Sequence, residues 1–335
     1  MTPSELSRTV VRVVRSAVDE GVLDLPPVGE LVVKVERPRP GGRGDYASGV
    51  ALKLAAAAGL PPRTVAEVLR QRMTGQAGIA HVEISGPGFL NITLDRAAQD
   101  DVVRQVRDAG LRYGYGEALR GQSFTFAAVC EERARVVAEV VVRLLTAQGA
   151  LARLGTDGGV EDGAEGGVGL PVVPCAMPRL ADLVGVDAAR WAMLRAARHD
   201  RPRTDVEELL AQRESNSLFR VRYAYSRSRA LTRNAGELGF GSEPGPVSEG
   251  AELLALLGDH PAVLEGAARH HAPDRLARHL EAVADELLRF QHQVLPLGDE
   301  KPSAAHRSRL ALAEAAGTVL AGGLSLLGVD APELL

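Results

Sequence analysis

Residues 216–235 combine three aromatic side chains, Phe219, Tyr223 and Tyr225, with five arginines in a stretch of helical periodicity. Phe219 and Tyr223 are four residues apart, so on a helix they are neighbours on one face, opposite the arc of apolar residues. Arginines flank this pair, with Arg220 and Arg227 on one side and Arg222, Arg229 and Arg233 on the other. Aromatic rings between guanidinium groups suit unstacked bases and their phosphates, and each stacked base contributes about 1 to 3 kcal/mol.

The same aromatic pair also has a purely structural explanation. Another helix of a bundle commonly covers such side chains, which would then belong to the core. The chain has a net charge of −4 and therefore no general attraction for polyanions. A nucleic-acid site would have to be formed by local arginines. The placement of the arginines is thus more informative than their number.

Phe89 and Asn91 form a second aromatic and polar pair, beside the turn of a predicted hairpin. Residues two apart in a strand lie on the same face of the sheet. An exposed phenylalanine and amide in this arrangement could bracket a single base. The alternative is a core phenylalanine next to a turn asparagine.

Two further sites are predicted to be starts of helices. Asp is a favoured N-cap residue, so Asp45 and Tyr46 are expected to cap and anchor the helix that follows. Thr64, with Glu67 three residues later, predicts a capping box at the start of another helix.

The residue types that bind metal lack a suitable spacing. The histidines of the C-terminal part have no carboxylates or cysteines at a recognisable ligand spacing, so we predict no metal site. These histidines are His270, His271, His279, His292 and His306. Cys130 and Cys175 have no evident activating partner and are predicted to be inert, as expected of a cytoplasmic protein. No apolar run approaches the roughly 18 residues of a membrane span.

The first 120 residues are predicted to form a small α+β domain. After an initial amphipathic helix, alternating residues at 31–36 indicate a strand. Two helices are expected at 46–58 and 62–73. A hairpin follows, with strands at 79–85 and 89–94 joined through a turn that contains two glycines.

The sequence after residue 120 is predicted to form three further regions. A strand at 124–130 and a helix at 131–148 are predicted within residues 121–154. Residues 155–170 are rich in glycine and acidic residues and are predicted to form a flexible linker. Residues 171–335 have helical periodicity and are predicted to form an all-α bundle. Its expected helices are 181–198, 216–235, 276–295 and 304–327.

Residues 35–59 and the hairpin at 82–94 closely resemble the N-terminal additional domain of arginyl-tRNA synthetases. In that family the domain holds the elbow of tRNA, and an aromatic residue and an asparagine on the hairpin read a base of the D-loop. The resemblance implies that Phe89 and Asn91 contact the tRNA elbow. The family pattern usually has asparagine where this chain has Gly49, a departure that affects one local contact.

The second half resembles the anticodon-binding bundle of the same family. The Asp-Ala-Leu-Arg motif after which that bundle is named reads here as residues 187–190, Asp-Ala-Ala-Arg. Residues 216–235 correspond to the aromatic-rich helix of the family and residues 310–333 to its closing helix and tail. The resemblance implies an anticodon-binding-domain-like bundle. Its anticodon-binding residues would be Phe219, Arg220, Arg222, Tyr223 and Arg227.

The catalytic middle of a class I synthetase is missing from this sequence. That domain needs a His-x-Gly-His turn that holds the ATP phosphates and a lysine loop that neutralises charge. The sequence CEERAR (130–135) stands where the histidine turn should be, and residues 170–183, just before the bundle, contain no lysine. Residues 121–154 are therefore interpreted as a remnant strand and helix of the catalytic domain. We predict no catalytic residue and no cofactor.

Three hypotheses about function follow from these observations. The first is a truncated, non-catalytic paralogue that binds tRNA, with arginine-specific tRNA as the expected partner. The second is a protein-interaction or regulatory subunit of a synthetase or of an amino-acid metabolic enzyme. The third is a residual arginine-tRNA ligase, which the missing ATP-binding apparatus argues against. No membrane partner is expected.

Overall fold

The computed structural model describes residues 1–26, 33–38, 43–127, 130–155 and 169–335. The chain divides into two compact units, Met1–Val102 and Val103–Leu335. The first unit mixes helices with a sheet and the second is mainly helical, as the predicted fold class requires. This agreement confirms an α+β N-terminal region followed by a helix bundle.

The first unit is built on a four-stranded antiparallel sheet. Its helices are α1 (Pro3–Asp19), α2 (Val50–Ala55) and α3 (Pro62–Met73), and its strands are β1 (Val35–Glu36), β2 (Tyr46–Ser48), β3 (Ile79–Ser85) and β4 (Phe89–Leu94). The strand order is β1-β2-β4-β3, which makes β4 a central strand. Buried residues of the helices and the sheet form one core, including Leu6, Val10, Val65, Leu69, Leu90 and Ile92.

The hairpin and α3 match the predicted elements, but the region before α2 does not. The predicted helix at 46–58 is wrong in its first turn, because Tyr46 lies in β2 and pairs with Ile92 of β4. Tyr46 is buried, and a central strand supplies the backbone partners that a helix would otherwise provide. Within the predicted strand at 31–36, the structure has β1 at residues 35–36, and residues 31–32 lie outside the described part of the chain.

Neither predicted helix cap forms. The N-cap of α2 is Gly49, which has no side chain to cap the helix, while the Asp45 carboxylate accepts a hydrogen bond from the backbone N–H of Leu94 at 2.7 Å. Asp45 thus joins two parts of the sheet. The N-cap of α3 is Pro61, not Thr64, and Glu67 forms an ion pair with Arg70 on the same helix instead of capping the helix start.

The second unit opens with a small β-α-β element. After α4 (Arg96–Ala109), within which the division between the units falls, β5 (Ser123–Phe126), α5 (Glu132–Ala147) and β6 (Leu151–Leu154) follow one another. β5 and β6 are parallel neighbours. The sequence predicted the strand and the helix but not β6. Together the three elements form one β-α-β unit of the usual length of about 30 residues.

Residues between Val102 and 120, which were predicted to belong to the N-terminal domain, pack within the second unit. The Tyr113 hydroxyl donates to the carbonyl of Leu257 at 3.1 Å, and the Gln148 side chain donates to the carbonyl of Gly114 at 3.0 Å. These long-range contacts place the boundary of the first unit earlier than residue 120.

The remainder of the second unit is a helix bundle. Its helices are α6 (Leu180–Val184), α7 (Val186–Arg195), α8 (Val206–Leu210), α9 (Ser217–Glu237), α10 (Ala251–Arg269), α11 (Pro273–Phe290) and α12 (Ala304–Leu327). The predicted helix 181–198 is divided by Gly185, whose φ of 83° ends α6 and begins α7. The sequence did not predict α10, which contains Pro261 in its interior.

α12 is the most deeply buried helix of the bundle. By length and composition it could cross a membrane, whereas the sequence predicted no membrane span. In its most apolar window 78% of the helix is buried within the structure, and it contacts α9, α10 and α11. Its apolar character is therefore that of a core helix in the described bundle. The predicted linker, residues 155–170, lies mostly outside the described residues.

One buried arginine ties α5 to the end of α7. Arg133 is fully buried, and its guanidinium donates hydrogen bonds to five backbone carbonyls. The acceptors are Met193 at 3.1 Å, Val173 at 2.6 Å, Ala196 and Ala197 at 2.9 Å each, and Asp200 at 2.8 Å. A buried donor without a partner would destabilise the fold, and here every N–H of the guanidinium has an acceptor. Arg133 therefore stabilises the contact between α5 and the end of α7.

Candidate nucleic-acid interface

α9 carries the aromatic pair, and its start is fixed by Asn216. The Asn216 side-chain oxygen accepts from the N–H groups of Leu218 and Phe219, at 3.1 and 3.3 Å. Its amide donates to the carbonyls of Leu209 and Ala211, both at 2.9 Å. This cap joins the first turn of α9 to the segment before it and so fixes the position of Phe219 in that turn.

Phe219 and Tyr223 are stacked on the outer face of α9. Their ring centroids are 5.8 Å apart and the ring planes differ by 10°. Tyr223 is 40% exposed and Phe219 is half-buried, whereas Val221 and Ala224 on the opposite face are fully buried. The structure therefore brings the two predicted aromatic residues together, with Tyr223 open to solvent.

The arginines beside this pair are engaged within the protein. Arg222 forms an ion pair with Asp187 and donates to the carbonyl of Asp330 at 2.9 Å. Arg220 lies 2.6 Å from a carboxylate oxygen of Asp285. The sequence predicted that both arginines are available to RNA. The structure instead gives each a carboxylate partner, because neighbouring helices present acidic side chains to this part of α9.

Arg227 differs from these two arginines because its partner is neutral. Its Nε donates to the side-chain oxygen of Gln291 at 2.8 Å. A glutamine holds the guanidinium in place without neutralising its charge, so Arg227 remains a cation beside Tyr223. Arg229 pairs with Glu333 at 3.2 Å, and Arg233 is exposed.

Phe89 and Asn91 differ sharply in exposure. Phe89 is 43% exposed at the start of β4, next to the hairpin turn. Asn91 is 8% exposed and its amide donates to the hydroxyl of Ser85 at 2.8 Å. β4 is a central strand, and its residues Leu90, Asn91 and Ile92 are buried. The structure leaves Phe89 available for stacking and occupies the Asn91 amide.

The sequence did not indicate that Gly49 and Arg63 lie near Phe89. A Cβ atom on Gly49 would lie 3.5 Å from Cε1 of Phe89, so the ring lies over this glycine. Arg63, at the start of α3, donates to the carbonyl of Gly86 in the hairpin turn at 3.4 Å and is otherwise exposed. The unusual glycine at position 49 was the signal that could have identified this environment.

The Asp187 to Arg190 motif holds the end of α12. Arg190 donates to the carbonyl of Leu327 at 3.2 Å and pairs with Glu139 at 3.0 Å. The Asp187 carboxylate accepts from the N–H of Asp330 at 3.4 Å. A cation at a helix C-terminus is favoured by the helix dipole. The two charged ends of the motif thus stabilise the last turn of α12 and the residues after it.

The described residues contain no group of three or more histidine, cysteine, aspartate or glutamate side chains arranged to hold a metal ion. His260 and His279 lie close together, with ring centroids 5.3 Å apart, inside the bundle. Burial lowers the pKa of His260 well below its usual range, and neighbouring His279 lowers it further. This environment favours a neutral imidazole in the core.

Two sequence profiles match the two parts of the chain. The profile described as "Arginyl tRNA synthetase N terminal domain" matches residues 9–94, and that described as "DALR anticodon binding domain" matches residues 221–335. The chain belongs to the arginyl-tRNA synthetase family. Phe89 lies within the first matched segment and Tyr223 within the second.

Curated relatives named arginine–tRNA ligase align with this family member throughout its length. The ligase of Frankia alni is 27% identical and that of Renibacterium salmoninarum is also 27% identical, each over 99% of this chain and 100% of the relative. The alignments extend over 553 and 547 positions, whereas this chain has 335 residues. A large part of each ligase is therefore aligned with no residue of this chain.

Solved synthetase structures share the fold. The arginyl-tRNA synthetase of Thermus thermophilus superposes with a TM-score of 0.71 at 12% identity, covering 100% of both chains. That of Plasmodium falciparum superposes with a TM-score of 0.67 at 8% identity, covering 98% of this chain and 99% of the other. At such low identities the similarity concerns the fold alone.

Proposed function

We propose that this member of the arginyl-tRNA synthetase family binds tRNA and does not charge it. The observation that carries the proposal is the stacked pair of Phe219 and Tyr223 on α9, with Tyr223 exposed within the segment that matches an anticodon-binding domain. An exposed aromatic side chain beside a cation, here Arg227, can stack on an unpaired base and contact its phosphate.

The proposed second contact is Phe89, which would stack on a base of the tRNA elbow. Its exposure supports this role, whereas the hydrogen bond between Asn91 and Ser85 would have to break before the Asn91 amide could read a base. Each contact alone contributes little affinity. Because both are on one chain, binding at one site raises the effective concentration of tRNA at the other. Arginine-specific tRNA is the proposed partner.

The absence of charging is proposed from the residues that replace the catalytic domain. The sequence at the expected histidine turn, residues 130–135, contains Arg133, whose guanidinium is saturated by backbone carbonyls. Glu131 accepts from the N–H of Ala134 as the N-cap of α5. Both side chains serve the fold. Lysine occurs only at Lys34, Lys53 and Lys301, so no lysine lies just before the bundle where the loop would be.

An assay of arginine-dependent pyrophosphate exchange, run beside filter binding of arginine tRNA, tests both parts of the proposal. We expect retention of tRNA on the filter and no exchange above a blank. Exchange by the purified chain would overturn the proposed loss of catalysis. Lack of tRNA retention at low salt would overturn the proposed binding.

A protein-binding role is the second candidate, and exposed apolar side chains on α6, α7 and α8 favour it. Leu183, Val186 and Leu210 are 54%, 66% and 55% exposed, on helices that contact one another. A nuclease-treated pull-down discriminates the two roles. Recovery of a synthetase or metabolic enzyme that is lost with Leu183→Ser and Leu210→Ser, without enrichment of RNA, would favour this candidate.

We also propose a cytoplasmic location for the protein. Cys130 is exposed and Cys175 is half-buried, and both are free thiols. An exposed free thiol is compatible with a reducing compartment. Cell fractionation tests this proposal, and recovery of the protein in an oxidising compartment would contradict it.

A further inference from the structure

The segment between α7 and α8, residues 196–205, displays two arginines on one side. Arg201 and Arg203 are exposed, and Pro202 between them is buried. Both guanidinium groups are therefore on the solvent side of this segment. Neither arginine forms an ion pair within the part of the chain that the structure describes.

Hydrogen bonds fix the backbone of the first half of this segment, residues 196–200. The buried guanidinium of Arg133 donates to the carbonyls of Ala196, Ala197 and Asp200. The carbonyl of Arg198 accepts from the N–H of Val173 at 2.8 Å. Because this half of the backbone is already ordered, a ligand bound by Arg201 and Arg203 would not have to order it.

A third arginine, Arg198, extends this surface toward the turn between α10 and α11. Arg198 donates to the carbonyl of His270 at 3.5 Å, which places the segment beside the turn between α10 and α11. Burial lowers the pKa of His271 in this turn, and the positive charges of Arg198 and His270 lower it further. His271 packs edge-on against Phe124 and Phe126, with centroid distances of 5.7 and 5.4 Å.

The acidic residues of the same region are mostly occupied. The Asp205 side chain accepts from the N–H of Glu208 as the N-cap of α8. Asp274 is largely buried and pairs with Arg278 at 3.4 Å. The Asp200 carboxylate lies 3.8 Å from Nε2 of His199. Neither Asp200 nor Asp205 therefore forms an ion pair with Arg201 or Arg203.

We propose that Arg201 and Arg203, with Arg198 beside them, bind the phosphate backbone of the tRNA. This inference rests on the proposed function and assigns a phosphate-binding surface that is separate from the aromatic pair on α9. On α9, Arg220 and Arg222 are neutralised by Asp285 and Asp187. Phosphates therefore find cations without a carboxylate partner in the 196–205 segment, where guanidinium groups can bind them in a bidentate manner.

The salt dependence of tRNA binding measures phosphate contacts directly. Each contact contributes about 0.7 to 0.9 to the slope of log affinity against log salt concentration. We expect the double variant Arg201→Ala and Arg203→Ala to lower the magnitude of this slope by one to two and to weaken binding about 10-fold or more at moderate salt. Lysine at both positions, which keeps the charges, should preserve the slope.

Two control variants distinguish the possible results. Arg120→Ala with Arg289→Ala removes two exposed arginines of the same unit that already pair with Glu117 and Glu286, and should leave the slope unchanged. Tight binding with an unaltered slope in the Arg201 and Arg203 double variant would overturn this inference and leave the proposed function intact. Failure of the unaltered protein to bind an arginine tRNA transcript would overturn both.

Discussion

The guanidinium of Arg222 and the carboxylate of Asp187 form an ion pair that joins α9 to α7. Arg222 also reaches the backbone carbonyl of Asp330, whose N–H donates to the same Asp187. Three segments of the second unit thus meet at one charged group. An arginine that the sequence suggested for RNA contact has a structural role in this protein.

Replacement of Arg222 by alanine should destabilise the second unit. The two side chains are 20% and 26% exposed, so the loss lies between that of a surface pair and a buried one, about 1 to 2 kcal/mol in the free energy of unfolding. Urea denaturation measures it. Arg233→Ala on the same helix is the control, with a change within about 0.5 kcal/mol. Unchanged stability combined with a large loss of tRNA affinity would contradict the structural role.

Arg133 is expected to be the most sensitive arginine of the chain. Replacement by methionine leaves five carbonyls without their donor, and the second unit should lose at least about 3 kcal/mol of unfolding free energy. Lysine should not restore it, because an ammonium group cannot reproduce the planar fork. Arg135→Ala, which removes an exposed arginine paired with Glu139, is the matched control. Comparable unfolding curves for the two variants would show that Arg133 does not stabilise the second unit in this way.

The aromatic pair on α9 should matter for binding and little for stability. Phe219→Ala together with Tyr223→Ala should weaken tRNA affinity by about 5- to 150-fold, the equivalent of about 1 to 3 kcal/mol for a lost stacking contact. Arg309→Ala is the comparison, since Arg309 pairs with Glu249 and lies outside the proposed site. Fluorescence anisotropy with labelled tRNA gives both affinities. Equal affinities for the two variants would argue against stacking at this site.

Gly49 offers a stabilising substitution. It is the N-cap of α2, its φ of −93° suits any residue, and a Cβ atom would meet Phe89 at an ordinary contact distance. Asparagine is a favoured N-cap, so Gly49→Asn should raise the free energy of unfolding by a few tenths to about 1 kcal/mol. A thermal shift measures the change. A lower melting temperature would show that the Phe89 ring cannot tolerate a larger neighbour.

Buried His260 makes the second unit sensitive to acid. Its pKa is lowered in the folded protein, so below its ordinary value of about 6.5 the unfolded chain binds a proton that the folded chain excludes. Stability should therefore fall as pH decreases below about 6.5, by up to about 1.4 kcal/mol per pH unit for this residue. His260→Phe should reduce the difference between unfolding free energies at pH 5 and pH 7.5. An unchanged difference would assign the acid sensitivity to other groups.

Local sequence patterns predicted elements where neighbouring residues decide the structure. The hairpin at 79–94 and α12 follow from alternation and from helical periodicity, and both were placed at their observed bounds. Tyr46 was assigned to a helix because its strand partner, Ile92, is distant in sequence. β6 is only four residues long, and its pairing with β5 depends on the helix between them.

The candidate site shows the same limit. The spacing of Phe219 and Tyr223 was sufficient to predict that they share a face of α9. No local pattern could show that Arg220 and Arg222 form ion pairs with Asp285 and Asp187, because these carboxylates come from other helices. The burial of Asn91 likewise depends on strands on both sides of β4.

Titration of the unaltered chain with arginine tRNA across a range of salt concentrations tests the central claim most directly. We predict a complex at low salt whose affinity falls steadily as salt rises, since arginines contact the phosphates. Absence of a complex at the lowest salt concentration, or an affinity that does not depend on salt, would contradict it.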